Sequence, residues 1–397
     1  MKIVICQGSP VVPSKALDSI TNRAEFFLAV NIGMHYVRGS ETVVILKRHG
    51  SVVFERRIPV PLVVPSKGIP RLLVLPFVHI HYLRIMLWAV NRWAEAREAC
   101  FIARSWLTCI AGLLARSLGK VEKVVYWVGD YYPVAGSYDH RIVNTIYQII
   151  ERYIVRHADR VWYIVKSLYD VHALPDGSRM TSAPEDIVTC LYSAYPDVYS
   201  LWTPERLHHF MYIGSILKNQ GLDVILPAIV EARKFFPDIF LDVVGTGPYE
   251  EEVREMAQRL NISDCVKFHG FVQDENRIHQ IAARSSAGFA LYHPSLVRHA
   301  YYTVNSKVFV YIGCGTPVII NKGAGSFDYV MDGKSGVCVE YQVDSIVKGM
   351  QTICANVEEH KKYRAAAMKV AAGLEKEAEK LRELITSCAL GNESCSR

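Results

Sequence analysis

Asp130 lies just beyond an apolar run, in Val124-Val-Tyr-Trp-Val-Gly-Asp-Tyr-Tyr-Pro133. A carboxylate after the C-terminal end of a buried strand stands where open α/β sheets gather catalytic groups. Among Tyr126, Trp127, Tyr131 and Tyr132, in partly apolar surroundings, it can act as general base on a hydroxyl. The alternative is an aspartate that caps the following turn. His140 and Arg141 are further candidates for the same cleft, and Gly8-Ser9-Pro10, after the first strand, would line it from the other side.

A second stretch, Asn305-Ser-Lys-Val-Phe-Val-Tyr-Ile-Gly-Cys-Gly-Thr-Pro-Val-Ile-Ile320, reads as a helix that stops at Gly315. It passes through Thr316-Pro317 into a buried strand, and Gly then Pro are the expected stop signals. Glycine-bearing loops accompany it: Tyr212-Ile-Gly-Ser-Ile-Leu-Lys-Asn-Gln-Gly-Leu222, Val243-Val-Gly-Thr-Gly-Pro-Tyr249, Val266-Lys-Phe-His-Gly-Phe271 and Gly323-Ala-Gly-Ser-Phe-Asp-Tyr-Val330 with Asp332-Gly-Lys-Ser-Gly336. Such loops, opening onto helix N-termini, suit a phosphate because unpaired backbone N–H groups point at it. Each glycine taken singly is equally a turn-maker.

Taken in order, these segments resemble the donor half of nucleotide-sugar glycosyltransferases with the GT-B fold, especially family 4 (group 1). Members commonly carry Lys-x-Phe-Glu-Tyr-Met-Ala-x-Gly-x-Pro-Val-Ile, and this chain has Lys307, Phe309, Tyr311, Gly315, Pro317 and Val318. The resemblance implies a donor site drawn from Gly214, Ser215, Lys218, Gln220, Gly245, Gly247, His269, Gly270, Phe271, Tyr292, Ser306 and Lys307. It implies an acceptor side with Gly8, Ser9, Tyr131, His140 and Arg141 around Asp130, which inverting chemistry would use as base and retaining chemistry would not need.

The departures are specific. The family's paired glutamates fall at Tyr302 and Val310, and its diphosphate-neutralising Arg and Lys fall at Ser215 and Gln220. Lys307 is then the best remaining cation for the donor phosphates or a carboxylated sugar, a compact charge with three donors. Its alternative is a solvated helix lysine. His293, Arg298, His299 and Tyr302 are candidates to supply the missing positive charge.

The elements that must position these groups alternate along the chain. Strands are expected at Lys2–Cys6, Thr42–Leu46, Cys100–Ala103, Val124–Val128 and Arg160–Ile164, with helices at Leu107–Leu118 and Val143–Arg156. After a connection at Ala183–Leu207, strands are expected at Phe210–Ile213, Phe240–Val244, Val266–Phe268, Gly288–Tyr292 and 318–320. Helices separate them at Asp223–Phe235, Tyr249–Leu260, Glu275–Ser285 and 305–315, and a helical tail follows at Val357–Ser387. Alternation of this kind argues parallel, doubly wound sheets. Residues 72–93 read as a buried strand–helix pair, the alternative being an interfacial element using Arg84, Trp88, Arg92 and Trp93. A bilayer span there is costly for Pro76, His79, His81, Arg84 and Asn91.

Bulk properties agree. A chain of 397 residues suits two domains of about 200 residues. Ten cysteines without CxxC or metal-ligand spacing argue against zinc and fit a reducing compartment. The apolar run at Met1–Cys6 is short for a signal peptide. Residues 1–120 hold 16 Lys/Arg against 6 Asp/Glu, a surplus of +10 in a chain of net +6. That surplus suits an anionic partner such as membrane lipid or a diphosphate-linked acceptor. No nucleic-acid motif accompanies it.

The sequence therefore predicts an α/β chain of GT-B type, two Rossmann-like doubly wound parallel-sheet domains facing a central cleft. Residues 1–200 would bind acceptor, 201–375 the nucleotide sugar, and a tail at 376–397 would cross back. The expected activity is sugar transfer from a nucleotide-diphosphate donor to a hydroxyl, on a lipid-linked or polysaccharide acceptor, with no cofactor and no metal, in the cytoplasm or peripherally on the membrane's inner face. The alternatives are a non-catalytic GT-B subunit or glycan-binding partner, and a nucleotide-sugar epimerase on the same fold.

Overall fold

The computed structural model describes residues 1–8, 20–35, 39–65, 68–129, 131, 138–174, 176–188, 193–294, 299–302 and 304–390. The chain forms two compact units, Met1–Leu191 with Glu377–Arg397, and Tyr192–Lys376.

The first unit is built on eight strands: β1 (Lys2–Gly8), β2 (Phe26–Ile32), β3 (Glu41–Arg48), β4 (Ser51–Pro59), β5 (Cys100–Ala103), β6 (Lys123–Val128), β7 (Arg160–Tyr163) and β8 (Glu185–Ile187), in the order β4-β3-β2-β1-β5-β6-β7-β8. The central strands are apolar along their interiors, and Val4, Phe101, Val125 and Trp162 are fully buried. That is the pattern of a parallel sheet covered on both faces.

Two features depart from the expected plan. β3 runs antiparallel to both β2 and β4, so the sheet is mixed at one edge. The β3–β4 hairpin turns on His49 (φ 48) and Gly50 (φ 80), and two positive φ values match the strand twist of a two-residue loop. The other is residues 72–93, where no strand forms. One helix runs from Ile69 to Arg92 with Pro76 inside it. Pro76 lies on the exposed face, which leaves water to satisfy the carbonyl freed by its missing N–H. Leu75, Val78, Tyr82, Ile85, Met86, Ala89 and Val90 form the buried stripe.

The second unit holds six parallel strands: β9 (His209–Ile213), β10 (Phe240–Val244), β11 (Val266–Gly270), β12 (Ala287–Ala290), β13 (Val318–Ile320) and β14 (Gly336–Cys338), ordered β11-β10-β9-β12-β13-β14. Helices Leu222–Ala232, Glu250–Arg259, Glu275–Ala283 and Ser306–Gly313 connect them. The right-hand stop at Gly315 has φ +68, the left-handed value that favours glycine after a helix. The stretch expected to be a mere connection is divided: β8 pairs with β7, while Tyr195 stacks on His279 at 3.7 Å and Trp202 Nε1 donates to Ser286 Oγ at 3.1 Å in the second unit. The helix Val357–Leu390 starts in the second unit, and its residues from Glu377 onward belong to the first.

Candidate functional site

Strand order in the second unit reverses between β9 and β12, and a crevice opens at the C-terminal ends of two such strands. The loops after β9 and β12 meet there. The His293 N–H donates to the Asn219 carbonyl at 3.1 Å. Gly221, at φ +90, lies so close to Leu291 that an added Cβ would stand 2.8 Å from the Leu291 Cβ.

Lys307 occupies the first turn of helix Ser306–Gly313 and is only 6% exposed. Its Nζ donates to Gln220 Oε1 at 2.8 Å and lies 4.3 Å from the Tyr212 ring centroid and 5.2 Å from that of Tyr292. Burial lowers its pKa to about 7, because the charged amine is poorly solvated there. The lysine stem runs over bare backbone: a Cβ on Gly214 (φ +134) would stand 3.2 Å from Lys307 Cε.

The neighbouring loops are stacked beneath. Gly214 N–H donates to Val244 O at 3.0 Å, Ile216 N–H to Thr246 O at 2.9 Å, and Gly245 N–H to Gly270 O at 2.9 Å. A Cβ on Gly245 (φ +135) would sit 2.0 Å from Gly214 O, and one on Gly247 would sit 2.2 Å from Ile216 O. The structure thus brings Gly214, Gln220, Tyr292 and Lys307 together, with Gly245 and Gly247 as the layer that supports them.

The other sequence candidates are placed differently. His269 is bound to Asp242 through Nε2 and Oδ1 at 2.6 Å, so its imidazole is held by the neighbouring strand. Phe271 is 76% exposed, and Ser215, Lys218 and Ser306 are also exposed. Val310, at the glutamate position, packs partly against the apolar core, and Tyr302 meets Tyr301 edge-on at 5.0 Å. His293 meets the Tyr341 ring edge-on at 5.1 Å. Arg298 and the His299 side chain lie outside the described part.

In the first unit Asp130, Ser9, Pro10, Tyr132 and Pro133 lie outside the described residues. Gly8 ends β1 in open space, Tyr131 and His140 are half-buried, and Arg141 is exposed in the first turn of helix Tyr138–His157. Tyr126 and Trp127, expected to share one pocket, do not lie on the same face of β6. Neighbours on a strand point to opposite faces, so Trp127 packs edge-on to Trp162 at 5.9 Å while Tyr126 reaches Glu151 on the other side.

The sequence reading missed the groups that line a small cavity here, among them Arg104, Trp106, Tyr147, Gln148 and Glu151. A usable signal was present: Tyr147 and Glu151 are four apart on one helix face, and Arg104 directly follows β5 as Asp130 follows β6. Tyr212, the ring beneath Lys307, was also missed, since a strand tyrosine reads as core.

Residues 203–370 match the family described as Glycosyl transferases group 1. That part of the second unit is similar to group 1 glycosyl transferases. The chain is 32% identical over 164 residues to the GDP-mannose-dependent alpha-(1-6)-phosphatidylinositol monomannoside mannosyltransferase of Mycolicibacterium smegmatis, a match that covers 40% of each protein. It is 30% identical over 128 residues to the GDP-mannose-dependent monoacylated alpha-(1-6)-phosphatidylinositol monomannoside mannosyltransferase of Corynebacterium glutamicum, 32% of each. The chain therefore matches less than half the length of these relatives.

Solved structures extend the likeness in fold to both units. Sucrose-phosphate synthase from Thermosynechococcus elongatus aligns over 98% of this chain and 100% of its own, with TM-score 0.68 and 15% identity. Anabaena HepE in complex with UDP aligns over the same shares with TM-score 0.64 and 13% identity. Both sheets thus conform to the GT-B plan, and Lys307 comes from helix Ser306–Gly313, inside the stretch similar to group 1 glycosyl transferases.

Proposed function

We propose that this protein transfers a glycosyl group from a nucleotide-diphosphate sugar to an acceptor hydroxyl. The carrying observation is Lys307: a buried amine at the strand-order reversal of a unit similar to group 1 glycosyl transferases, set against the bare backbone of Gly214. In the reaction the bond from the anomeric carbon to the diphosphate oxygen breaks and a bond to the acceptor oxygen forms. The leaving diphosphate gains negative charge as the bond breaks. A cation already desolvated and fixed in place stabilises that charge with little reorganisation. Gln220 and the Tyr212 ring hold the ammonium in position, and the hydroxyl proton leaves to a base, the role assigned to Asp130 in inverting chemistry.

The relatives named for GDP-mannose and a phosphatidylinositol-linked acceptor make a GDP-sugar the first donor to test and a lipid-linked hydroxyl the first acceptor, with a saccharide acceptor second. Peripheral docking on an anionic bilayer belongs to the same reading. Ile69, Leu73, Phe77 and Ile80 are 72, 64, 68 and 55% exposed on helix Ile69–Arg92, at spacings that make one stripe. Arg84 follows on that helix, and at its far end Arg92 and Arg56 lie 5.8 and 5.0 Å from the Trp88 ring. Trp with Arg suits the headgroup region.

The test is thermal unfolding with saturating GDP, UDP, ADP and dTDP, each with and without magnesium. A ligand at 100 times its Kd adds about 2.7 kcal/mol to the form it binds, a shift of roughly 5–10 °C for a unit of this size. No shift with any nucleotide would favour a non-catalytic subunit, which the packed Val310 in place of a carboxylate also fits.

A further inference from the structure

We infer that Cys100 and Cys388 form a reversible disulfide when a hydroperoxide oxidises them, a staple that fastens the returning end of helix Val357–Leu390 to the sheet of the first unit. Cys100 opens β5 and is 1% exposed; Cys388 lies in the last turns of the helix and is 5% exposed. Both belong to the first unit, and their thiols share a hydrogen bond. Thiols already in contact need little backbone movement to be bridged. The helix is also held on this sheet by the buried Leu381, Leu384 and Ile385, and by Lys380 Nζ at 3.4 Å from Asp186 Oδ1 on β8.

The surroundings favour a thiolate. β5, β6 and β7 lie side by side and begin with Cys100, Lys123 and Arg160, so the strand starts set two cations beside the sulfurs. Cys100 and Lys123 are register partners. Arg160 Nη1 is buried and has no hydrogen-bond partner among the described residues, a donor that a thiolate would satisfy. The Cys100 hydrogen bond, helped by Arg160 and Lys123, holds Cys388 below the ordinary thiol range against burial and the Asp186 charge. The same hydrogen bond and burial push Cys100 well above it. Burial pushes Cys6 and Cys109, packed elsewhere in this sheet and its helices, upward as well. A low-range thiolate beside a protonated thiol is the arrangement of an attacking and a resolving cysteine.

The step balances. The Cys388 thiolate attacks one peroxide oxygen, the O–O bond breaks, and the other oxygen leaves with the electron pair and is protonated. Cys388 is then a sulfenic acid. The Cys100 sulfur gives up its proton and attacks the Cys388 sulfur, the S–O bond breaks, and water leaves. The two sulfurs have passed two electrons to the peroxide, and a small thiol returns them by exchange. The end of a helix opens more easily than its middle, which gives the oxidant access. Metal binding fits less well, because the described residues hold no group of three or more His, Cys, Asp or Glu suited to an ion. In a reducing compartment such a bond is transient and redox-sensing. The staple sits at the strand starts, the end of the sheet opposite the one that receives ligand, so it stands independently of the transfer reading.

The test is mass-spectrometric peptide mapping of the whole protein after hydrogen peroxide and N-ethylmaleimide, with and without dithiothreitol. A dithiothreitol-sensitive cross-link should join the peptides carrying Cys100 and Cys388, and the oxidised protein should unfold roughly 5–10 °C higher. Cys100→Ser should stop at a sulfenic acid on Cys388, trapped by dimedone, and Cys388→Ser should give no adduct at Cys100. Arg160→Gln should slow cross-linking about tenfold, the effect of one pKa unit on the thiolate population. If the serine variants do not fold, the wild-type map and the Arg160→Gln rate decide. No cross-link at peroxide levels that oxidise methionine, a cross-link through other cysteines instead, or an unchanged rate in Arg160→Gln would each overturn the inference.

Discussion

Lys307 and Gln220, 87 positions apart, are joined by a hydrogen bond of 2.8 Å from Nζ to Oε1. Gln220 stands where the family resemblance leads one to expect a lysine, so the substitution read from sequence as a loss becomes a positioning contact. Two buried ammonium groups this close would repel. One lysine held by an amide keeps its orientation, and on the proposed reading its charge faces the donor diphosphate.

The Lys307 pKa of about 7 makes nucleotide affinity pH-dependent. An arriving diphosphate favours the ammonium and raises that pKa, so binding takes up a proton above pH 7. Affinity should be flat below pH 6 and fall by about tenfold per unit above pH 7, until the pKa of the complex is reached. Calorimetric titration in buffers of different ionisation enthalpy should report proton uptake near pH 8. A pH-independent Kd between 6 and 9 would contradict the phosphate role.

Lys307→Met should separate stability from binding. The folded-state pKa lies below the unfolded value near 10.4, so the unfolded chain holds more protons between the two. The lysine therefore costs stability below pH 7, and that cost fades as pH rises toward 10. Replacement should raise the ligand-free Tm at pH 6.5 by roughly 3–10 °C, equivalent to about 2 kcal/mol, while abolishing the nucleotide shift. Loss of both Tm and binding would mean Lys307 serves the fold.

Gly245→Ala should be severe and Gly270→Ala mild. A Cβ on Gly245 would lie 2.0 Å from the Gly214 carbonyl oxygen, at φ +135, whereas nothing lies within 4 Å of one on Gly270 at φ +67. Urea unfolding should show a loss of more than about 3 kcal/mol for the first and about 1 kcal/mol for the second. Equal losses would show that the loops beneath Lys307 yield easily.

Leu73→Glu with Phe77→Glu should release the protein from vesicles rich in phosphatidylglycerol and leave its Tm within about 2 °C, because both side chains are mostly exposed. Sedimentation with the vesicles at low and physiological salt is the readout. Unaltered binding would place the membrane contact elsewhere.

Sequence disclosed β9, β10, β12 and β13 well because they are largely apolar runs, while the short β14 and the helices Phe327–Asp332 and Val343–Ile353 were not anticipated. It disclosed the first unit less fully. β4 is an exposed edge strand whose polar residues hide its pairing, and its turn is His-Gly rather than the usual Asn-Gly. Residues 72–75 look like a strand because Pro76 interrupts the helical pattern, yet a proline on the solvent side does not stop the helix. At the site, motif order located Lys307 and its glycines, while Tyr212 and Glu151 became visible only through the packing of residues far apart in sequence. His269 shows the converse, since its motif position says nothing of the Asp242 partner that holds it.

The division of helix Val357–Leu390 between the units bears on how the protein is made. The first unit contains residues from both ends of the chain, and Leu381, Leu384, Ile385 and Cys388 are buried. A ribosome would therefore release the second unit's entire sequence before the first could complete its core. Folding order on the ribosome would run opposite to reading order, with the first unit's core complete only once the residues from Glu377 onward had emerged.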